Sequence, residues 1–352
     1  MACFGLAQRL PRWWYRRPLA TALVPLLPLM WLFLLLVSLR RFLYRCGALR
    51  SHRLPVPVVV VGNLTVGGSG KTPLVLWLVD RLRAHGWRPG VISRGYGGTA
   101  DGVRSVLPTS ASTEVGDEPL LLARRSRVPV FVGRDRVAAG QALLAEHPQC
   151  NVIVSDDGLQ HYRLQRSVEL VVFDGRGAGN GLALPAGPLR EPLHRLGAVT
   201  AVVWNGAPEA AAAQAACALP QFDMHLAGER FEALADPQQT CAAGTLRGKR
   251  LYAIAGIGDP GRFFRQLEAL GLAFEAHPFS DHHRYCAADL AFARDGVLLM
   301  TEKDAVKCTA LALGEAWVLP VDANVLPRPS QLPGNTGLLE TILEKLDGRT
   351  FA

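Results

Sequence analysis

The chain has 352 residues, a net charge of +8 and 49% hydrophobic residues. This length supports a large core and leaves room for two domains of ordinary size. The seven cysteines form no C-x-x-C pair, so the sequence indicates neither a zinc site nor a disulfide framework, and we expect reduced thiols in a cytosolic compartment. The positive charge favours an anionic partner such as a nucleotide, an acidic membrane face or a phosphorylated substrate.

The first fifty residues predict a membrane anchor. The segment 18–39 contains no charged residue, and a helix of 22 residues would span roughly 33 Å, which is sufficient to cross a bilayer. Arginines rather than a cleavage site follow it, so the anchor is expected to be retained. Pro25 and Pro28 are expected to kink it, and shallow insertion into one leaflet remains an alternative. Arginines flank both ends, so the distribution of positive charge does not determine the orientation of the helix. The ATP site inferred below requires that the body lie in the cytoplasm.

From residue 56 onward, short β-branched runs alternate with helix-like stretches. Strands this apolar, separated by helical crossovers, predict a parallel sheet covered on both faces, in an α/β fold. The predicted strands are residues 56–61, 90–93, 128–132, 151–155, 169–173 and 200–204. An alanine-rich stretch, 208–218, is expected to end this region.

A second set of elements then predicts a smaller α/β domain. It has apolar strands at 250–255, 272–276 and 297–300 and a helix at 262–270. We therefore expect four parts in chain order. They are 1–50, the membrane anchor with its basic flanks; 51–218, a P-loop nucleotide-binding domain; 219–325, the smaller α/β domain; and 326–352, whose helix 338–346 packs back on the body.

A phosphate-binding loop lies between the first strand and the first helix of the body. Residues 65–72 read T-V-G-G-S-G-K-T, so backbone N–H groups at the glycines can point at a β-phosphate. Lys71 can reach the β- and γ-oxygens, and the Thr72 hydroxyl can bind Mg²⁺. The predicted nucleotide-binding residues are Thr65, Val66, Gly67, Gly68, Ser69, Gly70, Lys71 and Thr72. A plain strand-to-helix glycine turn is the structural alternative.

The double glycine at 67–68 also resembles the loop of membrane-associated partitioning ATPases, which act as protein switches. That class carries a lysine just before the two glycines, and this chain has Val66 there. A partitioning ATPase is therefore the second choice. The observation that separates it from a kinase is whether ATP turnover depends on an acceptor.

Two pairs of acids are candidates for the chemistry of a nucleoside triphosphate. Asp156 and Asp157 follow an apolar strand, so they are expected on the same edge of the sheet as the P-loop, where they could hold Mg²⁺. An Asp-Asp-Gly turn is the alternative. Asp117 and Glu118 precede Pro119, where one carboxylate could activate a hydroxyl and the other bind the metal. The alternative is an ordinary helix start.

Three further motifs lie in the second domain. Residues 280–285, S-D-H-H-R-Y, suit a proton relay or a plain loop. Residues 256–261, G-I-G-D-P-G, with Glu275 further on, match a dinucleotide fingerprint, but such short motifs often mislead and we favour a tight turn with close helix packing. Residues 301–304, T-E-K-D, resemble the guanine-reading motif of GTPases with the lysine one place late. For Lys303, Asp304 and Lys307 we expect a solvated helix start.

Eight motifs in chain order resemble the tetraacyldisaccharide 4'-kinase family of lipid A biosynthesis. They are V-G-N-L-T-V-G-G-S-G-K-T (61–72), S-R-G-Y (93–96), G-D-E-P (116–119), D-D-G-L-Q-H (156–161), L-P-A-G-P-L-R-E-P (184–192), G-I-G-D-P-G-R-F-F (256–264), D-H-H (281–283) and T-E-K-D-A-V-K (301–307). The resemblance implies a P-loop α/β domain, a smaller α/β domain and an N-terminal hydrophobic helix on the cytoplasmic face of the bacterial inner membrane.

The same resemblance implies a reaction and its partners. The γ-phosphate of ATP, bound with Mg²⁺, would move to the 4'-hydroxyl of an acylated glucosamine disaccharide 1-phosphate, giving lipid IVA. The implied partners are this lipid and the membrane, with no nucleic acid and no known protein partner. Closure of the two domains would bring the hydroxyl in line and exclude water.

The resemblance also implies roles for single residues. Asp117 would activate the sugar hydroxyl, with His282 as its partner in an aspartate–histidine pair. Arg94 would stabilise the transferred phosphate, because a guanidinium can hold two of its oxygens. The catalytic set is then Asp117, His282, Lys71 and Arg94, and the candidate metal ligands are Thr72, Asp156, Asp157 and Glu118.

Overall fold

The structure, a computed structural model, describes residues 10, 12–16, 20–99, 101–328 and 337–347. Parts of the expected N-terminal anchor segment (1–50) and C-terminal segment (326–352) lie outside these residues. Within the expected anchor segment, the continuous part of the described chain begins at Ala20.

Fifteen strands and ten α-helices are numbered here in chain order within the described residues. The strands are β1 (Val58–Gly62), β2 (Pro89–Ser93), β3 (Arg104–Ser105), β4 (Val130–Val132), β5 (Val152–Asp156), β6 (Val168–Asp174), β7 (Ala201–Asn205), β8 (Gln221–Ala227), β9 (Arg230–Ala233), β10 (Thr240–Ala242), β11 (Leu251–Ala255), β12 (Glu275–Pro278), β13 (Val297–Thr301), β14 (Ala316–Leu319) and β15 (Asp322–Pro327). The helices are α1 (Leu27–Arg45), α2 (Lys71–Ala84), α3 (Ser112–Val115), α4 (Asp117–Ser126), α5 (Arg136–Glu146), α6 (Ala210–Ala215), α7 (Ala243–Leu246), α8 (Pro260–Ala269), α9 (Glu302–Cys308) and α10 (Leu338–Asp347).

Nine strands form the larger sheet, in the order β15-β8-β7-β6-β1-β5-β2-β4-β3. The seven interior strands run parallel, and β15 and β3 close the two edges in antiparallel pairing. All six strands predicted for this region are confirmed, with bounds within two residues. Val58 to Val61 are all buried, as expected of a β-branched strand covered on both faces.

Strand register determines where the site forms. β1 lies between β5 and β6, and Val61 of β1 pairs with Asp156 of β5. Because parallel strands end at the same edge, the loop after β1 and the acids after β5 emerge side by side. Helix α2 continues from the first of these loops and buries Leu74, Leu78 and Leu82 against the sheet.

The C-terminal helix packs on the larger sheet. Its apolar residues Leu338, Leu339, Ile342 and Leu346 are buried in the same core as α2, and it contacts α2, β6 and β15. Its apolar positions recur every three to four residues, which is the pattern of a helix with one buried face.

Six strands form a second, smaller sheet in the order β10-β9-β14-β13-β11-β12. Helix α8 covers one face and buries Phe263 and Leu267. The predicted strand at 272–276 begins only at Glu275, while Leu272 is buried in the core of this lobe. The elements of this sheet lie between residues 230 and 319, and we call this part of the chain, with its helices and loops, the second lobe. The larger sheet and the helices that pack on it are the larger lobe.

Two strands that the sequence analysis did not predict, β8 and β15, lie within or at the end of the segment 219–325 but belong to the larger sheet. β8 extends the larger sheet beside β7, and β15 returns to pair with β8. The alanine-rich stretch is therefore a crossover within the larger sheet rather than its end, because α6 leads directly into β8. We place the passages between the two lobes after β8 and before β15 instead of at 218 and 325.

Helix α1 follows a 3-10 segment, Thr21–Leu26, and together they are long and apolar enough to cross a membrane by length and composition alone. The two prolines were expected to kink the helix, but neither lies in its interior. Pro25 lies in the 3-10 segment, and Pro28 lies in the first turn of α1, where no backbone N–H is needed. Met30, Phe33 and Leu34 pack on the body. The opposite side exposes large apolar residues, namely Val24, Leu29, Trp31, Leu32, Leu35, Leu36, Leu39 and Phe42.

Candidate active site

The P-loop begins where β1 ends and leads into α2. Gly67 and Gly70 have φ of +100° and +89°, a region that L side chains rarely adopt. A Cβ atom at Gly70 would also lie 2.2 Å from Nδ2 of Asn205. Both backbone conformation and space therefore require glycine at this position.

Side chains from three neighbouring elements hold the carbonyl groups of the loop. Asn63 Nδ2 donates to the Gly67 oxygen at 3.1 Å, and Arg176 Nη2 donates to the Gly68 oxygen at 2.9 Å. Asn205 Nδ2 donates to the Ser69 oxygen at 2.9 Å. In a trans peptide the N–H points opposite to the C=O, so these bonds turn amide groups toward the inside of the loop. This is the arrangement that binds phosphate.

Lys71 lies at the start of α2 with its ammonium group turned to the centre of the site. Its Nζ donates to Asn63 Oδ1 at 3.3 Å and lies 3.4 Å from Asp157 Oδ1. Arg190 Nη1 also donates to Asp157 at 3.2 Å. Although burial acts in the opposite sense, these two cations lower the pKa of Asp157 to about 2. Asp157 is therefore an ionised carboxylate between two positive groups.

Asp156 occupies a different environment although it is the next residue. Its side chain is buried and its Oδ2 accepts from Ser93 Oγ at 3.3 Å, while Oδ1 has no hydrogen-bond partner among the described residues. Burial and then the nearby Glu118 carboxylate raise the pKa of Asp156. A buried carboxylate oxygen without a partner is costly unless a cation or a donor completes it.

Arg136, which the sequence analysis did not identify, holds the backbone of both acids in place. Its Nη2 donates to the carbonyl oxygens of Asp156 and Asp157, each at 3.2 Å, and its side chain is buried. Burial lowers the pKa of Arg136 to about 10. No short motif surrounds this residue, and it reaches the two acids only because α5 packs on β2 and β4, next to β5 in the sheet.

Asp117 and His282 meet between the two lobes. Asp117 is the first residue of α4, after Gly116 with φ of +92°, so this motif is a helix start and also faces the site. His282 lies in a turn of the second lobe with φ of +59°, and its Nδ1 is 3.3 Å from Asp117 Oδ2. The Tyr96 ring lies 5.3 Å from the imidazole. The structure thus brings the two predicted partners together.

Lys303 at the start of α9 is also part of this cluster. Its Nζ donates to Glu118 at 3.2 Å and to Asp281 at 3.1 Å. Burial alone would lower the pKa of Lys303, but these two carboxylates raise it, so the side chain is an ammonium ion. It joins α4 of the larger lobe to the second lobe beside the Asp117–His282 pair.

The expectation of a solvated helix start at residues 303–307 is wrong. Asp304 is fully buried, accepts from Thr301 Oγ1 and Tyr285 Oη, and lies 2.8 Å from Lys307 Nζ. It also accepts from the Gly256 N–H. Asp304 therefore joins the start of α9 to the loop after β11.

The dinucleotide-like glycines serve packing. A Cβ at Gly256 would lie 2.8 Å from Tyr285 Oη and 3.0 Å from Asp304 Oδ1, and one at Gly258 would lie 3.1 Å from the backbone N of Gly68. Glu275, which stands where a dinucleotide fingerprint would have its ribose-binding acid, pairs with a neighbouring histidine on β12. The loop between β11 and α8 thus lies directly against the P-loop.

Two cavities meet at the P-loop. The first, about 180 Å³, lies between the lobes and is lined by residues 68–73, by 257–259 and by Arg262, Phe263 and Gln266. The second, about 520 Å³, extends from Lys71, Asp157 and His282 to Phe33 and Val37 of α1. Arg94 lines this second cavity. The volume of this second cavity is in the range at which proteins bind small molecules.

These features define a class of protein. A P-loop at the edge of a parallel sheet, a carboxylate–histidine pair at the junction of two lobes and a cavity that reaches an apolar N-terminal helix are the parts of a two-lobed P-loop phosphotransferase that acts on an amphipathic acceptor.

Comparison with known proteins gives the particular family. Residues 22–335 match the sequence profile of LpxK, described as tetraacyldisaccharide-1-P 4'-kinase. The tetraacyldisaccharide 4'-kinase of Dechloromonas aromatica (strain RCB) is 56% identical over 99% of this chain and 100% of its own length, and that of Azoarcus sp. (strain BH72) is 53% identical over 98% and 97%. The chain therefore belongs to the tetraacyldisaccharide 4'-kinase family, whose members are ATP-dependent kinases.

A solved structure agrees in fold. The crystal structure of LpxK from Aquifex aeolicus in complex with ATP has 28% sequence identity and a TM-score of 0.76, over 93% of this chain and 100% of that one. The prediction of an α/β fold with a P-loop sheet is confirmed. The comparisons favour neither the partitioning ATPase nor a dinucleotide-binding enzyme.

Proposed function

We propose that the protein transfers the γ-phosphate of ATP to the 4'-hydroxyl of an acylated glucosamine disaccharide 1-phosphate, forming lipid IVA. The observation that carries this proposal is the position of the Asp117–His282 pair. His282 lines the cavity that leads from Lys71 to α1, and Asp117 lies directly behind it, 3.3 Å from its Nδ1. A hydroxyl placed there would have a base on one side and the terminal phosphate on the other.

Asp117 would act as the base for the sugar hydroxyl. A carboxylate within hydrogen-bond reach can accept the hydroxyl proton as the oxygen attacks phosphorus. His282 would orient this carboxylate through the contact at 3.3 Å. The left-handed backbone of His282 supports a functional role, since such strain at a non-glycine residue is retained where the surrounding structure requires it.

The phosphates of ATP would lie in the loop of residues 65–72. Lys71 would leave its contacts with Asn63 and Asp157 and turn to the β- and γ-phosphate oxygens, where its charge offsets the charge that develops during transfer. Arg94 lines the second cavity, which we take to hold the acceptor and call the acceptor cavity, and would stabilise the transferred group.

Mg²⁺ is expected with the nucleotide, and the residues present fit it. Thr72 follows Lys71 in the first turn of α2, and Asp156 has a buried oxygen without a partner. Asp157 keeps its ion pair with Arg190 when Lys71 turns to the phosphates, and Glu118 is paired with Lys303, so we assign metal binding to Thr72 and Asp156. The ion would neutralise charge on the β- and γ-phosphates.

The acceptor would reach the site from the membrane. The exposed apolar side of α1 would lie in one leaflet, while Phe33 and Val37 on its inner side line the acceptor cavity. The acyl chains could then stay in the lipid while the disaccharide enters the site. Because ATP is cytoplasmic, we place the body on the cytoplasmic face of the inner membrane.

A kinase assay tests the proposal. The full-length protein in detergent micelles is given radiolabelled ATP with the acylated disaccharide 1-phosphate, and label is expected on the lipid at the 4'-position. ATP turnover without dependence on the lipid would contradict the proposal and favour a switch ATPase.

A further inference from the structure

His282 lies between two charged groups at opposite edges of its ring. Its Nδ1 is 3.3 Å from Asp117 Oδ2, and its Nε2 is 3.4 Å from Lys303 Nζ. A lysine ammonium has three donors and no acceptor, so Nε2 can only accept from it. The ring proton then belongs on Nδ1, where it is donated to Asp117.

We propose that Lys303 is a positioning residue that fixes the tautomer of His282, so that the imidazole N–H points at Asp117. This inference rests on the proposed role of the Asp117–His282 pair in phosphoryl transfer. Lys303 acts through the histidine and needs no contact with the substrate.

Asp281 shows why a neighbouring cation is needed. Its Oδ1 lies 3.8 Å from His282 Nε2, close enough to attract a proton to that nitrogen. Lys303 Nζ lies 3.1 Å from the same oxygen and so occupies it. Without Lys303, an Nε2–H tautomer would face Asp281, and the Nδ1 lone pair would face the Asp117 carboxylate. Two acceptors in contact would then separate, and Asp117 would lose its orienting donor.

The position of Lys303 depends on both lobes. On the second lobe, Asp304 fixes the start of α9 through its bonds with Gly256, Tyr285 and Thr301. On the larger lobe, Glu118 accepts from Lys303 at 3.2 Å. The tautomer is therefore set in the arrangement in which the lobes meet, which is also the arrangement in which Asp117 and His282 meet.

The tautomer can be measured directly by ¹⁵N NMR of histidine-labelled full-length protein, with His282→Gln identifying the signal. The wild type and Lys303→Arg are expected to show the Nδ1–H form, and Lys303→Met is expected to shift His282 toward Nε2–H. An Nε2–H form in the wild type, or a spectrum of Lys303→Met identical to that of wild type, overturns the proposal. This readout does not depend on activity.

Kinetics must separate positioning from direct contact with phosphate, because Lys303 also lines the first cavity, the one between the lobes that borders the P-loop. Lys303→Met is expected to lower kcat about tenfold to a hundredfold with little change in KM for ATP, as expected of lost orientation, and Lys303→Arg to restore most of it. Lys249→Met, at an exposed ion pair of the second lobe, is the charge control. Thermal melting shows whether each variant is folded.

The decisive comparison uses the His282→Ala background. If Lys303 acts through His282, adding Lys303→Met there should change kcat by less than about twofold. A multiplicative loss, or a large rise in KM for ATP, would mean that Lys303 acts directly on the phosphates and would overturn the proposal. If His282→Ala alone keeps full activity, the dyad of the proposed function fails, and the NMR result still decides the tautomer.

Discussion

Asp117 Oδ2 and His282 Nδ1 lie 3.3 Å apart although 165 positions separate the two residues in the chain. Each lobe supplies one partner, since Asp117 begins α4 beside the larger sheet and His282 lies in a turn after β12. The pair therefore exists only where the lobes meet. A reaction that needs both groups would be confined to that arrangement.

The first prediction concerns this pair. Asp117→Ala and His282→Ala should each lower kcat by about 10²-fold or more with little effect on ATP affinity, because general-base catalysis contributes on this scale. The double variant should be scarcely worse than the poorer single one, as coupled groups are strongly non-additive. Steady-state kcat at saturating ATP and lipid is the measurement. Multiplicative losses would show that the two residues work independently.

The second prediction concerns Lys71. Lys71→Ala should reduce phosphoryl transfer by about 10²-fold or more, because the loop lysine offsets charge on the γ-phosphate in the transition state. The melting temperature should change little, since Arg190 still pairs with Asp157. Lys249→Ala is the control for loss of a lysine elsewhere. Near-normal activity of Lys71→Ala would contradict the assignment of residues 65–72 as the ATP-binding loop.

The third prediction separates the two adjacent acids. Asp156→Asn should raise the Mg²⁺ concentration needed for half-maximal activity by about tenfold, because its free oxygen is the one assigned to the metal. Asp157→Asn should change this requirement less, since its carboxylate stays paired with Arg190. Mg²⁺ titrations of the two variants test this. The reverse order would assign the metal to Asp157.

The fourth prediction concerns membrane binding by α1. Replacing the exposed residues Leu32, Leu35 and Leu36 with serine should release the protein from vesicles, at about 1.5 to 3 kcal/mol for each leucine withdrawn from lipid. Activity on detergent-dispersed lipid should remain, because the inner side of α1 is unchanged. Leu107→Ser, at an exposed leucine of the body, is the control. Full retention on vesicles would show that another surface binds the membrane.

The fifth prediction is a pH dependence of stability. Burial, with a contribution from Arg136, lowers the pKa of His161 to about 4. Between about pH 6.5 and 4 the unfolded chain binds the proton and the folded chain does not, so stability should decrease as the pH is lowered through that window. His161→Gln should flatten this part of the curve while matching wild type near pH 7.5. Thermal melts across the range test it, and equal slopes would refute it.

Much of the larger lobe could be predicted from local sequence. Runs such as residues 56–61 and 151–155 are short, apolar and β-branched, so their strand character depends on neighbours only weakly. The P-loop could be identified because its chemistry needs glycines, a lysine and a threonine in consecutive order.

The rest depends on contacts that no local pattern contains. The approach of His282 to Asp117 was expected only through resemblance to a family. Asp304 looked like an exposed helix-start residue, because its donors Gly256 and Tyr285 lie far from it in the chain. Lys303 was missed for the same reason. β8 carries no signal for which sheet it joins, so the boundary at 218 was misplaced.

The neighbouring positions of β8 and β15 give the second lobe the character of an insertion. Ala227, the last residue of β8, pairs with Asp322, the first residue of β15, and antiparallel partners lie only about 5 Å apart. The chain thus leaves and re-enters the larger sheet almost at one point. A two-residue hairpin in place of residues 228–321 would therefore be long enough to close this gap and leave the pairing of the larger sheet unchanged.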